Sequence, residues 1–311
     1  MRIVSLLPSS TEILFALGLG DQVVAVSHDC DHPPEAKEKP ALSQSALGGV
    51  NPGRSTSREI DEAISKQLHK GQSIYHLDQD LLRRLEPDLI LTQELCVVCA
   101  PSFSQVRKAA RVLKDEVQLI SLEPNRLGDI FENIRLVGEV TQRKEEAERF
   151  IEKLKSRIHQ VVSLTRGVNQ RPRVFCMEWL DPPMVAGHWV PEMVRLAGGE
   201  DGLGREGDAS YKIEWEEIFR YDPEVVLFMP CSFGLERTLE ELKRFPFPKG
   251  WKEINANKEG QCFAVDGASY FNRPGPRIID GLEILAQILH PVRLRQFQGD
   301  IPEGAMQRWD Y

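Results

Sequence analysis

Two short stretches of this chain crowd together side chains that bind metals or do redox chemistry. His28-Asp29-Cys30-Asp31-His32 sets imidazole, carboxylate and thiol in one loop, and Cys96-x-x-Cys99 places a pair of thiols in another. The pair falls between an expected strand over 88–92 and a helix beginning near Pro101. A thiol close to a helix N-terminus loses its proton more easily, and the thiolate is the form that ligates metals and exchanges disulfides. One such pair supplies two ligands where structural zinc takes four, so Cys30 would serve as a third and His28 or His32 as a fourth. Plain structural thiols fit the same residues, and both readings stay open. Cys176 and Cys262 differ, because each sits in an apolar run that predicts a buried strand, where cysteine acts as a small hydrophobe.

Three further segments carry groups suited to a ligand. Pro8-Ser9-Ser10-Thr11 opens the first helix, whose free N–H groups would meet an anionic group. Glu178-Trp179 through Gly187-His188-Trp189 and Tyr270-Phe271-Asn272-Arg273 lie in Pro- and Gly-rich connections. Aromatic rings in such loops form walls for a large flat apolar ligand, and Arg273 would pair with a carboxylate or phosphate on it. All these segments follow expected strands, and open α/β sheets bind ligands beyond the carboxyl ends of their strands. Capping, turn formation and core packing remain the competing roles. No dinucleotide or Walker glycine loop, HExxH or GxSxG elbow is present, and no spacing selects an acid–base pair, so no catalytic residue is assigned.

The elements that must position these groups alternate. Short apolar runs over 3–7, 23–26, 88–92 and 117–122 read as strands. Helices are expected between and after them, with Ser9-x-x-Glu12 and Thr56-x-x-Glu59 as capping boxes. From 141 to 165 there is no Gly or Pro, and apolar residues recur at helical spacing from Ala147 to Val162. That predicts one helix much longer than the usual 11–12 residues or so. Strands then resume over 173–177, 225–229 and 261–265, with a helix capped by Thr238-x-x-Glu241 and a last helix starting at Pro276. The expected fold class is α/β: two Rossmann-like lobes with mainly parallel sheets, residues 1–140 and 167–290, joined by a backbone helix over 141–166, with a polar tail over 291–311.

Composition bounds the partners. The chain has 311 residues, 39 Lys and Arg against 47 Asp and Glu, and a net charge of −8. That balance gives no electrostatic footing for nucleic acid or an anionic membrane surface. No apolar stretch approaches the ~20 residues of a membrane span. The start, Met1-Arg2 followed by a short strand-like run, does not read as a secretory signal, so a cytoplasmic location is expected; a periplasmic or extracellular one is the alternative if a signal was removed.

The run from Arg2 to Gly20 (RIVSLLPSSTEILFALGLG), the following Val23-Val24-Ala25-Val26-Ser27, and Leu85-x-Pro87-Asp88-Leu89-Ile90-Leu91 resemble the class III, helical-backbone family of metal-chelate receptors that serve bacterial ABC importers. The resemblance spans roughly residues 2–290 and is strongest to the cobalamin-binding group; haem and siderophore receptors share the fold. It implies a non-enzymatic binder holding cobalamin, another corrinoid or a related small-molecule metal chelate in a cleft between two lobes. On that reading the strand-end segments described above supply the expected contacts, Ser9, Ser10, Asp29, His32, Glu178, Trp179, His188, Trp189, Tyr270, Phe271, Asn272 and Arg273, and the resemblance implies an ABC importer as partner if the chain is exported. The Cys-rich loops depart from the family pattern. They support the alternative of a cytosolic metal- or redox-dependent protein, with a metal ion at Cys30, Cys96 and Cys99.

Overall fold

The computed structural model describes residues 1–51, 53–93, 103–110, 117–168, 170–296 and 301–311. The chain divides into two compact units. The first comprises Met1–Asn51, Glu59–Pro124 and Gly128–Glu152; the second comprises Pro52–Arg58, Asn125–Leu127 and Lys153–Tyr311.

In the first unit, β1 (Ile3–Ser5), β2 (Val23–Val26), β5 (Leu89–Thr92) and β6 (Gln118–Ser121) form a parallel sheet in the order β2-β1-β5-β6. β1 and β5 are buried along their whole length, as largely apolar strands in a parallel sheet should be. β3 (Ser43–Ser45) and β4 (Tyr75–Leu77) make a small antiparallel pair beside it. The helices are α1 (Pro8–Ala16), α2 (Ser57–His69), α3 (Gln79–Leu85), α4 (Phe103–Ala110) and α5 (Leu127–Val140); α2 and α5 begin on segments belonging to the second unit.

The expected capping box at Ser9-x-x-Glu12 is not used. Pro8 occupies the first turn, where its fixed φ and missing N–H are harmless, so the helix starts two residues earlier with Leu7 as its cap. Ser10 and Thr11 are thereby turned inward, with Ser10 Oγ 2.6 Å from Ser5 Oγ and Thr11 Oγ1 2.7 Å from the same atom.

The long helix is α6 (Lys144–Thr165), 22 residues or about 33 Å, and Gly167 at φ +75° follows its end. It links the two units, which divide between Glu152 and Lys153. Its first turns lie tight against α5: a Cβ at Gly138 would sit 2.5 Å from the Cβ of Ala147.

In the second unit, β7 (Val174–Trp179), β10 (Val225–Phe228) and β11 (Cys262–Val265) are parallel neighbours. β8 (Met184–Val185) and β9 (Tyr211–Lys212) extend one edge antiparallel, and β12 (Met306–Arg308) closes the other. The tail therefore ends as an edge strand that brings Trp309 into an aromatic core with Phe228, Phe247 and Trp251. The helices are α7 (Val190–Leu196), α8 (Trp215–Tyr221), α9 (Leu235–Arg244), α10 (Asn255–Lys258), α11 (Gly267–Tyr270) and α12 (Ile278–Leu289). Arg157 on α6 forks onto Glu283 at 2.8 and 2.6 Å and reaches Asp280 at 2.5 Å, fastening the long helix to α12. Cys176 and Cys262 are buried in their strands, and burial pushes the Cys262 thiol up to about 12. The box at Thr238-x-x-Glu241 also fails as a cap, because α9 starts at Leu235 and Thr238 Oγ1 donates back to the Gly234 carbonyl at 3.0 Å.

Candidate ligand-binding site

Each unit brings strand-end segments together. In the first, Ser9 and Ser10 follow β1, while Asp29, Cys30 and His32 follow β2. The start of α1 and the loop after β2 meet where Thr11 Oγ1 donates to Cys30 Sγ at 3.1 Å, with Ser27 Oγ 3.4 Å from the same sulfur. Cys30 is thus a buried thiol among hydroxyls. Asp29 is half-buried, its N–H donating to Ser27 Oγ at 3.3 Å and its carboxylate 3.6 Å from His28 Nε2; His32 is half-buried as well. Ser9 and Ser10 are buried, and Ser10 is committed to Ser5 and to the Leu7 carbonyl. Among the described residues no group of three or more His, Cys, Asp or Glu is gathered to hold a metal ion. Cys96 and Cys99 lie outside the described residues.

The second unit holds the denser cluster. β7 loses its regular register between Met177 and Trp179, and Glu178 sits at that irregularity. Such breaks re-aim a side chain out of the strict alternation of a strand. Ser210 Oγ donates to Glu178 Oε2 at 2.7 Å and accepts from the Gly187 N–H at 3.0 Å. Gly187 permits this crossing, because a Cβ there would lie 2.4 Å from the Asp208 carbonyl oxygen. Burial is the main influence on the Glu178 carboxyl and raises it to about 7 despite the bond from Ser210. His188, at φ +52°, has its pKa lowered by burial, and its Nδ1 has no partner among the described residues.

The two aromatic loops do meet. Trp189 Nε1 donates to the Phe271 carbonyl at 2.8 Å, and the His188 ring stacks on Trp189 with centroids 5.5 Å apart. Trp179, 9% exposed, packs against Phe233 at 5.3 Å. Phe271 is 0% exposed, so its ring is core and its carbonyl anchors Trp189. Asn272 Nδ2 reaches the Met229 carbonyl at 3.3 Å, and its buried Oδ1 has no partner among the described residues. Tyr270 and Arg273 are half-buried beside them.

A family profile described as periplasmic binding protein matches residues 3–268. The chain belongs to the periplasmic binding protein family. Within it, an uncharacterized ABC transporter substrate-binding lipoprotein, YvrC, of Bacillus subtilis is 25% identical, the match covering 93% of this chain and 80% of that protein. A vitamin B12-binding protein of Vibrio cholerae serotype O1 is 23% identical over 91% of this chain and 86% of its own length. Among solved structures, the periplasmic heme-binding protein RhuT from Roseiflexus sp. RS-1 aligns with a TM-score of 0.66 at 23% identity, covering 94% of this chain and 98% of that one. The expected fold class is found here: two α/β units, with the chain passing from one to the other along α6. Ser210 and Phe233 were not among the expected site residues. Ser210 lies in a polar stretch whose one aromatic is Tyr211 and which holds no cysteine, and Phe233 reads from sequence as one more core ring.

Proposed function

We propose that this protein is the substrate-binding component of an ABC importer and takes a metal chelate of the corrinoid or haem type, with cobalamin the first candidate. Likeness along nearly the whole chain to a relative named as vitamin B12-binding carries this reading. The strand-end clusters support it. Trp179, Trp189 and Tyr270 offer rings, while Glu178, His188, Asn272 and Arg273 offer polar groups of both hydrogen-bonding senses, the mixture that orients a large flat ligand. In the first unit, Asp29 and His32 are half-buried polar groups beyond a strand end, while Ser9 and Ser10 are buried and Ser10 is committed within the unit. Relatives named as lipoprotein and periplasmic give the cytoplasmic expectation no support and favour the exported alternative, where a receptor hands its cargo to an importer.

Titration with cyanocobalamin and with haemin, followed by visible absorbance and calorimetry, tests the proposal. Saturable one-to-one binding of one of them is expected, weakened about tenfold by Trp179→Ala or Arg273→Ala. No binding of either chelate would overturn it.

A further inference from the structure

Residues 53–58 precede the body of α2 yet cluster with the second unit, and their bonds show why. The Ser57 N–H donates to Glu241 Oε1 at 2.7 Å and its Oγ donates to the same oxygen at 2.8 Å. Arg237 Nη2 donates to Glu241 Oε2 at 2.8 Å and to the Ser55 carbonyl at 2.6 Å. The Ser57 carbonyl, the last polar group of that residue, accepts the indole N–H of Trp179 at 3.2 Å. Arg58 adds an ion pair to Asp181 at 2.8 Å.

We infer that Glu241 is a positioning residue for the ligand site: through Ser57 it fixes the indole of Trp179. The inference rests on the proposal that Trp179 forms part of the ligand wall. The physical case is one of satisfaction. A buried indole N–H needs an acceptor, and here the acceptor is the carbonyl of the first residue of α2, whose own N–H has no partner inside the helix. Glu241 holds that residue by accepting at the first N–H of α2, where the carboxylate also meets the positive end of the helix dipole. The carboxylate is 3% exposed and balanced by Arg237, so its bonds are charge-assisted and shielded from water. Arg237 closes the ring of contacts, since its guanidinium lies 4.1 Å from the centroid of Phe233, the ring against which Trp179 packs. Both faces of control over Trp179, the polar and the apolar, therefore run back to one Arg–Glu pair on α9.

The test follows the Trp179 indole N–H by NMR, assigned from Trp179→Phe, in Glu241→Gln and in the milder Ser57→Ala, which removes one bond to Glu241 and leaves the Ser57 carbonyl in place. Both variants should shift the Trp179 resonance and speed its hydrogen exchange, by about tenfold in Glu241→Gln and less in Ser57→Ala, with the Trp189 indole unmoved. Cyanocobalamin or haemin affinity should fall in the same order. An unmoved Trp179 indole in a folded Ser57→Ala or Glu241→Gln protein would overturn the inference. Trp179→Ala separates the two ideas: if it leaves chelate affinity unchanged, Trp179 is not part of the wall and the positioning role falls with it, whatever the NMR shows of Glu241. A Tm close to the wild-type value in both variants identifies the effect as local, and a folded protein with loose Trp179 but intact affinity counts against the inference.

Discussion

Glu178 carries a pH signature that can be measured without knowing the ligand. Burial raises its carboxyl from 4.5 to about 7 and that of Asp201 from 3.8 to about 6. Across that range the folded protein keeps protons that the unfolded chain has released. The sign follows: these groups favour the folded state most at acid pH, and that advantage is lost as pH rises toward 7. For Glu178 the full gap would be about 3 kcal/mol, reduced to about 1–2 because the side chain is partly open to water. Between pH 5 and pH 7.5 the wild type should lose about 1–2 kcal/mol more stability than Glu178→Gln, read from urea unfolding at the two pH values. Equal losses in both proteins would show that the carboxyl titrates normally. Glu178, Trp179 and Trp189 were legible in the sequence because acid and aromatic residues stand out in Pro- and Gly-rich loops. Ser210 and Glu241 were not, since each acts on a partner 32 or 184 residues away and nothing near either position records it.

At the scale of elements, strands and the long helix could be read in advance because each buries a continuous or evenly spaced apolar face. Helix starts could not. Two of the three capping boxes proved to be hydroxyls inside a helix, and the reason is shared: Pro8 and Gly234 let their helices begin earlier than the Ser or Thr that looked like a cap. Close approach between helices was equally hidden. Gly138 reads as a weak point in α5, and Ala in its place should gain about 1 kcal/mol of helix propensity. The new Cβ would nevertheless lie 2.5 Å from the Cβ of Ala147, which is fixed to its backbone and has no rotamer to turn away. Overpacking costs of about 1–3 kcal/mol should win, so Gly138→Ala is expected to lower Tm, and a raised Tm would show that α5 and α6 can part freely.

The molecule as a whole is two α/β units whose boundaries do not follow the order of the chain. Its end is structural: Trp309 is buried among Phe228, Phe247 and Trp251, and its N–H donates to the Cys262 carbonyl at 2.9 Å. Trp309→Ala should cost about 3–5 kcal/mol in equilibrium unfolding, a loss that a loosely attached tail would not produce. The polar composition of 291–311 concealed this, because one tryptophan and a three-residue edge strand leave almost no periodic signal. The bond from Ser57 to Glu241 has a consequence in time as well as in space. Its partners are separated by 184 residues, and ribosomes add about 5–20 residues each second. The nascent segment around Ser57 must therefore wait roughly 10–40 s for the carboxylate that caps it. During synthesis the start of α2 lacks this carboxylate, and a chaperone or protease can reach it before the second unit exists.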